Sequence, residues 1–276
     1  ARWTVILGEN GTGKTTLLQC LALMEPVDAP TGLSPLGTEN GNPNVTPKAA
    51  VGYNRVLINS LFRDMDKIKI DIGIYRGHLL SEPVHQKSMA LTMFLKPANS
   101  EEYTRIVDMT SYDEIGSLRC YGYGALRQPG KTVLSDETGD ATASLFSDEP
   151  VLLNAEEWLL QADYSYKSLE GANKNRAKER LDSIKVILKD LLPEVDDINF
   201  TTPNIELSKN VRVEFLTPYG CVSLRQLGLG YKTMIAWVVD LSARLWQRYP
   251  HSKNPLAEPA VVLVDEIDLH LHPRWQ

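Results

Sequence analysis

The sequence has no long hydrophobic run. None approaches the ~20 residues that a membrane-spanning helix requires, and the clean run Val261 to Val264 has the length of a buried strand. The expectation is a soluble, cytoplasmic chain with no membrane partner. Cysteine is scarce as well: Cys20, Cys120 and Cys221 are odd in number and widely scattered, which fits a reducing compartment and small buried side chains better than a disulfide framework. There is no excess of positive charge. With 29 Lys and Arg against 35 Asp and Glu, the net charge of −6 argues against a surface built throughout for nucleic acid, although a local basic patch remains open. No internal repeat is visible. An initiator Met and a signal-like start are absent too, and the chain stops at Gln276 where a helix should be under way, so flanking sequence is expected at both ends.

What is present is ordinary globular composition, 43% hydrophobic and 23% charged, in 276 residues that can bury one large core or two modest ones. Trp3 to Leu7 reads as a strand, followed by a glycine loop and a helix that carries Leu17, Leu18, Leu21 and Met24 on one face until Pro26 halts it. Val27 to Lys48, rich in Pro, Gly, Asn and Thr, reads as a surface excursion without regular structure. Asp66 to Tyr75 and Ser88 to Lys96 alternate as strands do, and with the stretch EYTRIVDMT they predict a small antiparallel β-subdomain. Helical spacing then takes over between Asn154 and Leu192, with Asn154 as a cap and Leu181, Ile184, Ile187 or Leu188, and Leu191 as the apolar stripe. Lys174, Arg176, Lys178, Arg180, Lys185 and Lys189 on this lobe either face DNA or form a solvated face interleaved with Glu179, Asp182 and Asp190, the plainer alternative. IELSKN and VRVEFL look like a hairpin, and YKTMIAWVVDLSARLWQRY makes a long helix ended by Pro250. Trp158, Trp237, Trp246 and Trp275 fall on predicted helices, where core or interface anchoring is the default.

The chemistry sits at the two ends. Gly8, Gly13, Lys14 and Thr15 satisfy the G-x-x-x-x-G-K-[ST] spacing, between a predicted strand and a predicted helix. Gly11 and Gly13 free the backbone to turn its N–H groups inward, so Asn10, Gly11, Thr12, Gly13, Lys14, Thr15 and Thr16 are expected to cradle the phosphates of ATP. Lys14 would reach between the β- and γ-phosphates, and the Thr15 hydroxyl would join the Mg2+ shell. At the other end, VVLVDE reads as a strand buried on both faces, with Asp265 emerging toward the phosphates as a metal ligand. Glu266 then orients or deprotonates the attacking water, and a carboxylate beside the metal ligand favours hydrolysis over transfer to a second substrate. Asp265, Glu266, Asp268, His270 and His272 also form a set with transition-metal ligand types; the simpler account of Asp268, His270 and His272, on a strand-to-helix loop, is that they support the neighbouring site residues or touch a second subunit.

The Asp265-Glu266 pair, its separation of roughly 250 residues from the glycine loop and the intervening β and helical insertions resemble the ABC-type ATPase heads of SMC-like, RecF-like and OLD-like proteins. That resemblance implies an α/β P-loop ATPase head with an antiparallel β-subdomain and an inserted helical lobe. Its core would take residues 1–26 and 211–276, the β-subdomain 27–130 and the helical lobe 131–210. It also implies that a signature loop from a second head closes over the γ-phosphate. The matching stretch is LGLGYKT, with Leu227, Gly228, Gly230 and Tyr231; Gly228 stands where the family usually carries Ser, which removes one hydroxyl contact and puts the strength of ATP-driven closure in doubt. DEIDLHLHPRWQ, GYGALRQ at Gly122 to Gln128, SLF at Ser144 to Phe146 and EEWLL at Glu156 to Leu160 further resemble the Septu ATPase family, PtuA, of bacterial antiphage defence. The likeness is strict only at Gly8 to Thr16 and Val261 to Pro273. It implies a self-associating ATPase, as a head-to-head dimer or higher oligomer, that works with an HNH nuclease of the PtuB type, with DNA or RNA as a further candidate in the assembly. Arg127 or Gln128 would couple the γ-phosphate to the helical lobe; the spacing does not choose between them, and a surface turn reads equally well. RecF-like repair or DNA-clamping ATPases share the end motifs, so the defence assignment rests on the middle segments.

Overall fold

The computed structural model describes residues 4–9, 11–23, 25–28, 45–47, 68–75, 88–95, 104–107, 119–128, 130, 139–148, 152–201 and 211–269. The chain divides into two compact units, one of Ala1–Gly122, Leu145–Ser147 and Pro259–Asp265, the other of Tyr123–Ser144, Asp148–Glu258 and Glu266–Gln276. The architecture is mixed α/β.

In the first unit, helix α1 (Lys14–Leu23) springs directly from the glycine loop, with the Leu17 N–H donating to the Gly13 carbonyl at 2.9 Å. Strand β1 (Pro26–Asp28) pairs antiparallel with β2 (Val45–Pro47), so the ends of the predicted excursion are pinched together. Composition marked the turn residues there but not the short apolar ends, which find each other across the excursion. The predicted β-sheet is present: β3 (Ile68–Tyr75), β4 (Ser88–Leu95) and β5 (Thr104–Val107) form an antiparallel three-stranded sheet. Its register sets Ile68, Ile70, Ile72 and Ile74 opposite Leu95, Met93, Leu91 and Met89.

Strands β6 (Cys120–Tyr123) and β10 (Val261–Val264) pair with each other, and the Val261 N–H donates to the Arg119 carbonyl at 2.8 Å. Ala22, Leu145 and Leu263 form a buried cluster with Leu18, Leu21, Phe146 and Val261 around it. Gln19 fastens α1 to this patch by donating from Nε2 to the Leu145 carbonyl at 2.7 Å. Burying each such aliphatic side chain contributes about 1.5–3 kcal/mol, so this small cluster is the main tie between α1 and β10.

Three sequence expectations for this unit need correction. Residues 4–8 take no strand, and Val5 and Leu7 are 73% and 88% exposed; an apolar run becomes a strand only where a neighbour takes up its backbone groups. Leu18 and Leu21 of the predicted stripe pack against the buried cluster, but Leu17 is exposed, the fully buried residues of α1 are Ala22 and Leu23, and Met24 lies outside the described residues. Strand β10 is buried on one side only: Leu263 is 6% exposed but Val262 is 39% exposed.

The second unit is built on three helices, α2 (Ala155–Ser168), α3 (Gly171–Leu191) and α4 (Leu229–Arg248), which touch one another pairwise. Asn154 caps α2 as its type predicts, its side-chain oxygen accepting the Glu157 N–H at 3.2 Å. On α3 the stripe Leu181, Ile184 and Leu188 is buried, while Leu191 is exposed because the helix ends there and Leu192 turns inward instead. Strand β8 (Val213–Thr217) buries Val213 and Phe215, and sits between β7 (Asp197–Phe200) and β9 (Gly220–Ser223) in an antiparallel sheet. The hairpin partner read from IELSKN lies outside the described residues, and β7 and β9 are the pairs that form among those described.

Candidate nucleotide-binding site

The glycine loop adopts the conformation its composition calls for. Gly11 and Gly13 have φ of 82° and 91°, in the left-handed region where a side chain is strained, and α1 starts at the next residue. Thr12 donates from its hydroxyl to the Glu9 carbonyl at 2.8 Å. Lys14 folds back over the loop, its Nζ donating to the carbonyls of Gly8 at 2.7 Å and Glu9 at 2.9 Å. The ammonium is thus held beside the loop by carbonyl oxygens, a set of contacts that a stronger anionic acceptor would displace. Asn10 lies outside the described residues, whereas Thr16 is half-buried in the first turn of α1.

The two chain ends meet at one bond. The Thr15 hydroxyl donates to Oδ2 of Asp265 at 2.7 Å across 250 positions of sequence. Asp265, just past β10, is 7% exposed, and the contact of α1 with β10 supplies the packing that holds both residues in place. A hydroxyl and a carboxylate brought together in this way are the hard oxygen donors that Mg2+ takes.

The division between the units falls after Asp265, and Glu266 belongs with the second. Glu266 has φ of 43°, its side chain is exposed, and its carbonyl accepts a 2.7 Å hydrogen bond from Nη2 of Arg127. Arg127 is itself at φ 38° and only 2% exposed. Two non-glycine residues in a sparsely populated region at the two ends of one hydrogen bond cost about 1–3 kcal/mol each, and such strain collects where geometry serves a purpose. Gln128 is different: it is exposed, and its carbonyl accepts the Leu152 N–H at 2.9 Å. Of the two residues that sequence spacing left level, Arg127 is the one hydrogen-bonded to the Glu266 carbonyl.

The stretch that carries Arg127 also contains contacts that sequence reading missed. The Tyr123 hydroxyl donates to Oδ2 of Asp240 at 2.9 Å, and Arg244 Nε donates to the same oxygen at 2.7 Å. Oδ1 of Asp240 accepts the Leu153 N–H at 3.2 Å, and Arg244 Nη1 reaches the Gly139 carbonyl at 2.8 Å. Asp240 is 1% exposed. Burial alone would lower the Arg244 pKa, but the Asp240 carboxylate outweighs it and holds the guanidinium above its ordinary range. The i,i+4 spacing of Asp240 and Arg244 was the one signal available, and nothing in it pointed to Tyr123.

Asp240 and Arg244 lie on α4, the helix that begins at the signature-like stretch. Gly228 is its N-cap, with Leu229 and Gly230 already in the first turn, so LGLGYKT straddles the helix start. Leu227 closes the preceding short turn by donating its N–H to the Leu224 carbonyl at 3.3 Å. Leu229 is 59% exposed, and the Tyr231 hydroxyl donates to the Pro193 carbonyl at 3.1 Å. Asp268 is exposed, while His270 and His272 lie outside the described residues. No group of three potential metal ligands occurs among the described residues, and no described helix is long and apolar enough to cross a membrane.

One stretch, 36% of the chain, is 37% identical over 105 residues to the Retron Ec83 probable ATPase of Escherichia coli, covering 19% of that protein. Another match, over 34% of the chain, is 35% identical to the Retron Vc95 probable ATPase of Vibrio cholerae, covering 17% of it. More particularly, the whole chain is similar to the Septu protein PtuA of Bacillus mycoides, at 28% identity over 278 aligned positions and 31% of that protein. The chain therefore spans less than a third of the length of these relatives. No protein-family model matches it.

Proposed function

We propose that this chain is the nucleotide-binding head of an ATPase that binds Mg-ATP, hydrolyses it, pairs head to head with a second copy, and thereby regulates a nuclease partner in bacterial antiphage defence. The observation that carries the reading is the hydrogen bond between Thr15 and Asp265, which joins the phosphate-loop hydroxyl to the acid expected to share its metal. The similarity to Septu PtuA and to two retron proteins named as probable ATPases supports the same class.

In this account the glycine loop and the start of α1 bind phosphate through backbone N–H groups, and Lys14 exchanges its carbonyl partners for phosphate oxygens. Thr15 and Asp265 would hold Mg2+, which supplies neutralisation of the phosphate charge when bound. Glu266 positions the attacking water and accepts its proton. Arg127 fixes the backbone at Glu266, and Tyr123 on the same stretch fixes Asp240 of α4. One short segment thus bears on both the acid pair and the signature helix, a physical basis for relaying nucleotide state to the residues that would meet a second head.

Lys14→Ala in the full-length protein tests the reading. Binding of labelled ATP should fall by about 10- to 100-fold, the scale of removing charge-assisted contacts to the phosphates. Retention of wild-type affinity would remove the loop from nucleotide binding. Glu266→Gln should keep ATP binding and slow turnover; equal hydrolysis by the variant would take Glu266 out of the water-handling role. A DNA-clamping head is the alternative, and steeply salt-dependent duplex binding by the protein without its nuclease would favour it.

A further inference from the structure

The second unit holds a cavity of about 510 Å3 between α2, α3 and the segment that follows α4, lined by no residue of the two end motifs. Cavities of roughly 300–1,000 Å3 are of small-molecule size, and this one is much larger than a lone inorganic anion needs. Its walls carry Arg176, Arg180 and Lys253 against one carboxylate, Glu179, with the indoles of Trp158 and Trp246 beside them.

Arg180 is the unusual group. Its guanidinium lies 4.9 Å from the Trp158 ring and 5.0 Å from the Trp246 ring, and the two indoles stack on each other at 5.5 Å. Its Nε is buried and has no hydrogen-bond acceptor, and no carboxylate pairs with it among the described residues. Burial pushes its pKa below the ordinary arginine value, the direction expected of a cation without a counter-charge. Buried donors in folded proteins are almost always satisfied, so an orphaned guanidinium edge at a cavity calls for an anionic acceptor from outside. Arginine's planar fork suits phosphate and carboxylate oxygens, and indole surfaces suit a flat ring.

We propose that this cavity is a second ligand site, distinct from the glycine loop, for a small phosphate-bearing molecule with a planar aromatic body, the class to which nucleoside monophosphates belong. Arg180 holds the anionic group from within, Arg176 and Lys253 hold it from the rim, and Trp158 and Trp246 meet the ring. The site stands independently of the ATPase reading, because none of its residues belongs to the end motifs.

The probe is AMP, titrated into the full-length Lys14→Ala protein so that the glycine loop contributes little, with tryptophan fluorescence and equilibrium dialysis as readouts. Saturable binding with a Kd below about 1 mM is expected, together with a fluorescence change from Trp158 and Trp246, whereas inorganic phosphate alone should bind at least about tenfold more weakly. Arg180→Gln should weaken AMP by about tenfold or more, and Arg176→Gln and Lys253→Gln, on exposed positions that leave the fold intact, by severalfold each. Absence of saturable AMP binding overturns the site. So does unchanged affinity in Arg176→Gln and Lys253→Gln, which decide the matter if Arg180→Gln fails to fold. A ten-nucleotide single strand that binds where AMP does not would overturn the small-molecule assignment.

Discussion

The two units spend their polar groups differently. In the first, the glycine loop is mostly exposed and is held by a few hydrogen bonds: Lys14 to two carbonyls, Thr12 to Glu9 and Thr15 to Asp265. In the second, a single carboxylate at 1% exposure gathers Tyr123, Arg244 and the Leu153 N–H, and stacked tryptophans lie against the helices. A loop that, in the proposed account, exchanges its own contacts for a ligand's gains from bonds that break easily. A frame that holds the long helix α4 in place gains from bonds that do not.

That contrast can be broken by mutation. Removing the acid at the centre of the second unit should have the largest effect: Asp240→Ala leaves Arg244 buried without its counter-charge and Tyr123 without its acceptor, a loss of about 3–5 kcal/mol. Thermal unfolding should show it as a lower Tm, and a change under about 1 kcal/mol would show the network to be dispensable. The cap of α2 is a smaller case. Asn154→Ala removes one acceptor for the Glu157 N–H and should cost about 1 kcal/mol by urea denaturation, with an unchanged m-value.

The parts of the molecule that were legible in the sequence are those whose signals are local. Glycines at fixed offsets before Lys14 and a carboxylate pair after an apolar run are patterns complete within a dozen residues, and the structure joins Thr15 to Asp265. The stripe Leu181, Ile184 and Leu188 repeats within a single helix, so periodicity found it. What escaped needed a partner from far away. Tyr123 and Asp240 are separated by 117 positions, and neither type announces the other. The residues before the glycine loop look like a strand because they are apolar, but pairing decides whether a strand forms, and pairing is not written in a single segment. The Arg180 cavity escaped for the same reason: Arg180 read as one more charge on a solvated helix until α4 brought Trp246 beside Trp158.

The most direct test of the central claim asks whether the loop and the distant acid bind one metal-nucleotide complex. ATP affinity should be measured with Mg2+ and with EDTA in the wild-type protein, in Thr15→Val and in Asp265→Asn. The account predicts that Mg2+ strengthens ATP binding in the wild type and that either substitution removes most of that gain while leaving the fold intact by circular dichroism. Full Mg2+ enhancement in both variants would contradict it, because the bond between Thr15 and Asp265 would then be structural and the two ends of the chain would not share a site.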